Sequence, residues 1–394
     1  MSGASASRAP ADRHGPPEAA RSRSWYRLPL LAAGGVALVA GTAAGLHRLG
    51  LGGPEALASL AALHGPLMVS GFFGAVIGFE RAVATGRIWA YLGPLAAGIG
   101  TALAVVGAPL PAIHAAWIVA GLVLAVASTG IALRQPALFT GALACGAIAW
   151  PAGVLAWAAG APMAGAALWW IAFLVLTIAA ERLELSRLLR LETSSKVAFG
   201  VCIALLAAAA GLGTVGAAGA WPVAGVALLA LTAWLFNHDV ARRTIRISGL
   251  PRYAALCLLS GYVWLGAGGL LMVALPIDTD PLVYDAALHS VFLGFAVAMV
   301  FGHAPIILPA VARLPVAFDG GFYGPLVLLH VSVGLRVGAD LAGAFDTRAH
   351  AGLLTAIAFV LFIAVVARGA RRGLKARRGV HPPHGPASRG HCVV

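Results

Sequence analysis

The chain is written almost entirely in apolar runs of about 18 to 25 residues, the length that crosses a hydrocarbon core about 30 Å thick when coiled as a helix. Short connections separate the runs and often hold Pro or Gly, as in GAPLP at 107–111 and GAP at 160–162. Lipid offers no hydrogen bonds, so each run has to satisfy its own backbone groups, and for a segment of this length that means an α-helix. Twelve runs lie between residues 29 and 368. The pattern predicts an all-α polytopic integral membrane protein, flanked by basic, disordered tails at 1–28 and 369–394. The runs that bear on function fall near 56–79 (second), 282–303 (tenth), 322–342 (eleventh) and 349–368 (twelfth). No extramembrane domain and no internal repeat is evident.

Composition supports the same class. Of 394 residues, 60% are hydrophobic and 10% are charged, against about 25% charged in a soluble domain. The net charge of +13 invites a nucleic-acid reading, but its placement excludes one. With the N-terminus inside, all of the 27 lysines and arginines fall on the cytoplasmic side except Arg48, Arg336 and Arg348. Arg182, Arg187, Arg190 and Lys196 crowd one inner loop; Arg242, Arg243, Arg246 and Arg252 crowd the next. Glu55, Asp278, Asp280, Asp285 and Asp346 fall on the outer side. This asymmetry is the positive-inside signature of a plasma membrane of bacterial type, with both termini cytoplasmic. Residues 1–24 carry no signal-peptide pattern. The four cysteines form no CxxC, and Cys145, Cys202 and Cys257 read as buried, inert thiols.

Topology turns sequence position into depth. His289 and His303 share the tenth run, fourteen residues apart, so they lie on about the same face and about 21 Å apart along the axis. That separation is far beyond a metal–nitrogen bond of about 2 Å, so they cannot serve one ion. His64, on the second run, falls in the outer third with His289; His330 lies near mid-membrane on the eleventh. His114 and His350 sit near outer helix ends, and His238 and His303 near inner ones. Ionisable groups inside a membrane span are costly and mark functional sites by default, and histidine is the commonest metal-ligating side chain. The metal-ligand candidates are therefore His64, His289, His330 and His303. Arg336 and Asp340 stand four apart on the eleventh run. They suit an ion pair, or Arg336 binds an anion such as a haem propionate. Glu80–Arg81 and Glu181–Arg182 read as interfacial charge clusters, with Glu181 or Glu184 as an entry for protons. The tail HPPHGPASRGHCVV reads as disordered.

Several segments together carry a family resemblance: LHGPLMVSGFFGAVIGFERA (63–82), NHDVARR, SGYVWLGAGGLL and ALHSVFLGFAVAMVFGH. With the twelve-span plan, they resemble the NnrS-like haem- and copper-containing membrane proteins, which are distantly similar to haem–copper oxidase catalytic subunits. The resemblance implies that His64 is an axial haem ligand near the outer face and that His289 and His330 are the next haem or copper ligands. It implies a haem of b type, copper as a second candidate cofactor, and a diatomic gas or redox partner. The chain departs from both patterns: the His-x-His-Glu run common in that family is here Leu63-His64-Gly65-Pro66, and neither the adjacent copper-binding histidines nor the His-x-His pair of the oxidases occurs. The expectation is a haem protein, potentially a haem-dependent oxidoreductase, in nitric oxide or related redox chemistry. Two readings compete with it. One is a proton-coupled secondary transporter using the intramembrane His, Arg and Asp; the other is a haem-free scaffold subunit.

Overall fold

The computed structural model describes residues 27–53, 56–185 and 191–379. The expected N-terminal tail, apart from its last two residues, lies outside the described residues, as do His381, His384, His391 and Cys392. No β-strand occurs among the described residues. Twelve helices are long and apolar enough to cross a membrane: α1 (Pro29–Arg48), α2 (His64–Thr85), α3 (Ile88–Val105), α4 (Leu110–Arg134), α5 (Leu138–Ala158), α6 (Met163–Leu185), α7 (Thr193–Thr214), α8 (Ala220–His238), α9 (Leu250–Ala274), α10 (Pro281–Val311), α11 (Gly320–Ala342) and α12 (Phe345–Arg377).

Helices adjacent in sequence mostly pack together, as short connections require. The longer-range contacts set the site. α12 packs back onto α1, and α2 and α6 both touch α10. α6 is the central element, with 83% of its most apolar window buried inside the protein. Its neighbours reach it through small residues. Gly165 of α6 lies against the backbone of α7, where an added Cβ would come within 2.3 Å of the Gly213 carbonyl oxygen. The rim is the opposite case. Val39, Val126, Val263, Val327, Val360 and Ile363 are exposed, which in a spanning helix is the lipid-facing surface.

Three differences from the sequence reading bear on function. The second span begins at His64, not near 56; a separate short helix, Ala56–Ala61, precedes it. His64 therefore opens α2 instead of lying two turns within it. The tenth span runs through Pro305 and Pro309 to Val311, so His303 is interior to the helix and does not end it. Proline is tolerated at such a position because neighbouring helices can satisfy the carbonyl it frees. The last helix continues from the expected tail boundary at 369 as far as Gly379. The segment is rich in Ala, Arg, Leu and Lys, all good helix formers, and Arg368 and Arg372 pair with Asp319 before α11.

Both α2 and α10 widen into π-helical turns, at Leu67–Phe73 and Ser290–Val297. Each wide segment begins within three residues of a candidate ligand, His64 or His289. Such turns are rare and concentrate at functional sites.

Gly165→Ala is expected to lower the thermal stability of detergent-purified protein by about 1–3 kcal/mol, the usual cost of overpacking. Gly200→Ala, where an added Cβ meets nothing within 4 Å, is expected to leave the melting temperature unchanged.

Candidate functional site

Two of the four candidate histidines come together. The rings of His64 on α2 and His289 on α10 have centroids 6.4 Å apart and planes only 16° from parallel. That separation is too long for a face-to-face stack in van der Waals contact. It suits a shared ion instead: with each metal–nitrogen bond about 2 Å long, two imidazoles on opposite sides of one ion have ring centres about 6 Å apart.

The backbone fixes which nitrogen each ring presents. His64 Nδ1 lies 2.6 Å from the Gly41 carbonyl oxygen of α1, and His289 Nδ1 lies 2.8 Å from the Asp285 carbonyl oxygen one turn earlier. A carbonyl can only accept, so both Nδ1 atoms carry the proton. Nε2, with its lone pair, then has no hydrogen-bond partner among the described residues. Ligating histidines are held in this way, the second N–H donated to a carbonyl or carboxylate. Gly45 completes the seat of His64, since a Cβ there would come within 2.8 Å of ring atoms Cε1 and Nδ1.

Beside the pair lies a cluster of four charges. Arg336 of α11 places Nε 2.8 Å and Nη2 2.6 Å from Asp285 Oδ2, and its Nε is 3.3 Å from Asp340 Oδ2. Arg348 of α12 reaches both carboxylates, at 3.2 Å to Asp285 Oδ1 and 2.6 Å to Asp340 Oδ1. Asp340 is fully enclosed, with a side-chain exposure of 0%. The expected Arg336–Asp340 pair is present, but it is half of a cluster. Asp285 and Arg348, read from sequence as outer-side charges, supply the rest. The signal for Asp285 was its spacing, four residues before His289; nothing in the sequence tied Arg348 to Asp340.

The other candidates stand apart. His330 uses both ring nitrogens: Trp264 Nε1 donates to Nδ1 at 3.0 Å, and Nε2 lies 2.8 Å from Ser260 Oγ. Since Ser260 Oγ donates to the Leu256 carbonyl at 2.6 Å, it accepts from His330, and the ring ties α11 to α9. His238 is likewise engaged, by the Trp234 carbonyl and Ser195 Oγ, and stacks on Trp234. It makes no pair with His303. His303 donates Nδ1–H to the Met299 carbonyl, at the far end of α10. There Glu80, Arg182 and Asp239 lie within its electrostatic reach. Arg182 and Asp239 form a buried two-bond pair at 2.8 and 3.0 Å, and the Tyr262 hydroxyl donates to the same carboxylate. Glu80 and Glu181 form no ion pair among the described residues. His350 and His114 make local contacts, with the Asp346 carbonyl and the Trp157 ring.

Among the described residues, no group of three or more His, Cys, Asp and Glu is arranged to hold a metal ion. The donor set here is two nearly parallel imidazoles. It fits a haem, whose porphyrin brings four nitrogens of its own and needs only axial ligands from the protein.

Breaking the buried pair at the far end isolates its structural role. Asp239→Ala strands the Arg182 guanidinium and is expected to cost about 3–5 kcal/mol of stability in a thermal melt. Adding Arg182→Met is expected to recover much of that loss.

The chain belongs to the family described as a domain of unknown function, DUF8744, which matches residues 27–371. No curated protein matches it.

Proposed function

We propose that this DUF8744 member is an integral membrane haem protein, with His64 and His289 as the two axial ligands of a single haem of b type. One observation carries the reading. Two imidazoles from helices remote in sequence meet nearly parallel at the spacing of a shared ion, each with Nδ1 tied back and Nε2 presented. His303 and His114 also leave a ring nitrogen without a hydrogen-bond partner among the described residues, so it is the meeting of two such rings, and not one open nitrogen, that supports the reading.

Held by His64 and His289, a haem would supply one-electron transfer. The residues of this chain do the holding. Gly41 and Asp285 orient the rings through Nδ1, and Gly45 leaves room for His64. Arg336 and Arg348 are already matched by Asp285 and Asp340, while Arg48 of α1 lies within electrostatic reach of His64. A propionate at that cluster would therefore meet balanced charge. The NnrS-like resemblance points to redox chemistry of nitric oxide or a related small molecule, and this ligand set suits an electron carrier in that chemistry. Copper finds no third ligand beside the pair, so we assign none. The transporter reading loses ground for the same reason as the propionate: the intramembrane Asp and Arg neutralise one another.

We place the protein in a bacterial-type plasma membrane with both ends cytoplasmic, on the basic asymmetry of its loops. A fluorescent protein fused at the C-terminus should fluoresce in cells, and a periplasm-dependent phosphatase fused there should be inactive. The opposite result inverts the topology.

Protein purified in detergent should show a Soret band, sharp reduced visible bands of a six-coordinate haem and about one iron per chain. His64→Ala and His289→Ala should each lose the haem or the six-coordinate spectrum; His330→Ala and His303→Ala should keep it. Colourless wild-type protein, or an unchanged spectrum in either of the first two variants, overturns the proposal.

A further inference from the structure

The two proposed ligands are not equivalent, and the difference lies behind the rings. His64 Nδ1 is bonded to a neutral peptide carbonyl, that of Gly41. His289 Nδ1 meets two acceptors from one residue, the Asp285 carbonyl at 2.8 Å and its carboxylate Oδ2 at 3.1 Å. The carboxylate is not free to turn away. Arg336 grips Oδ2 from α11 and Arg348 reaches Oδ1 from α12, so Asp285 is fixed on three helices at once. Its side chain is 15% exposed.

We propose that Asp285 is a positioning residue that makes His289 the stronger donor of the pair and thereby lowers the reduction potential of the bound haem. The inference rests on the bis-histidine reading. An imidazole whose N–H faces a carboxylate gains basicity at its other nitrogen, and a more basic axial ligand favours ferric over ferrous iron. The local contact matters because the cluster behind His289 is internally balanced. Asp285, Asp340, Arg336 and Arg348 sum to zero charge, which leaves the direct Asp285–His289 contact as the feature that distinguishes this ligand.

That cancellation also provides the control. Asp285→Asn and Asp340→Asn each leave the cluster with one excess positive charge, but only the first removes the carboxylate from His289. Redox titration of the haem-loaded protein in detergent, followed optically, compares them. Asp285→Asn is expected to raise the midpoint potential more than Asp340→Asn does, by about a tenfold change in the ferric-to-ferrous preference, or about 59 mV for a one-electron couple. Equal shifts in the two variants, or none in Asp285→Asn, overturn the proposal.

The wild-type protein gives a second test that does not depend on either variant folding. Its ferric electron paramagnetic resonance spectrum is expected to show the narrowed g-anisotropy of one imidazolate-like ligand. A spectrum of two ordinary neutral imidazoles overturns the inference while leaving the haem assignment in place. A wild type without haem removes both together.

Discussion

A polar group carried into a bilayer has no water to fall back on, and the architecture of this protein is a response to that constraint. Charged side chains within the spans need partners, and here several find them on other helices. The partners cluster in three places. Asp285, Arg336, Asp340 and Arg348 join α10, α11 and α12 at one end. Arg182, Asp239 and Tyr262 join α6, the end of α8 and α9 at the other. His330, Ser260 and Trp264 join α11 to α9 between them. In lipid the helices associate through close packing of small residues, as at Gly165 and Gly213, together with hydrogen bonds between helices. These polar knots are what give the bundle a single arrangement.

The His64–His289 pair departs from that pattern. His330 and His238 close both ring nitrogens on protein partners, whereas these two rings each keep Nε2 without one. The π-helical turns just beyond both residues are part of the same departure. A π turn adds a residue to the turn and shifts the side chains beyond it. Here the turns follow the two histidines directly, and the apolar side chains they carry, Phe72, Phe73 and Phe295, stay buried. A local loosening of helix geometry and an unsatisfied pair of ring nitrogens at the same place is a coincidence that a purely structural bundle does not need.

How much of this could be read from sequence depended on how local the cause was. The twelve spans were legible to within a few residues at most ends, because a bilayer imposes length and apolarity on each one separately. The grouping of His64 with His289 at one end of the bundle was legible too, since span order fixes relative depth. His330 was a candidate by its depth within a span; its side chain turns to Ser260 and Trp264, and depth carries no azimuth. The start of α2 was misplaced because residues 56–61 are apolar enough to read as one span with the helix that begins at His64. His303 was placed at a helix end because of Pro305 and Pro309, yet neighbouring helices support the chain through them. The π segments left no mark, since they depend on how α2 and α10 pack. Asp285 was legible as a residue one turn before His289, but its hold on Arg336 and Arg348 required three helices to be placed.

The central claim is that one haem iron bridges His64 and His289. Near-infrared magnetic circular dichroism of the ferric protein reads the axial ligand pair directly, through a charge-transfer band whose energy differs between ligand sets. A bis-imidazole band, absent from His64→Ala and from His289→Ala, is the result this account predicts. A band of a histidine–methionine pair, for instance with Met68, whose sulfur packs against Gly41, would contradict it, as would the absence of any haem signal.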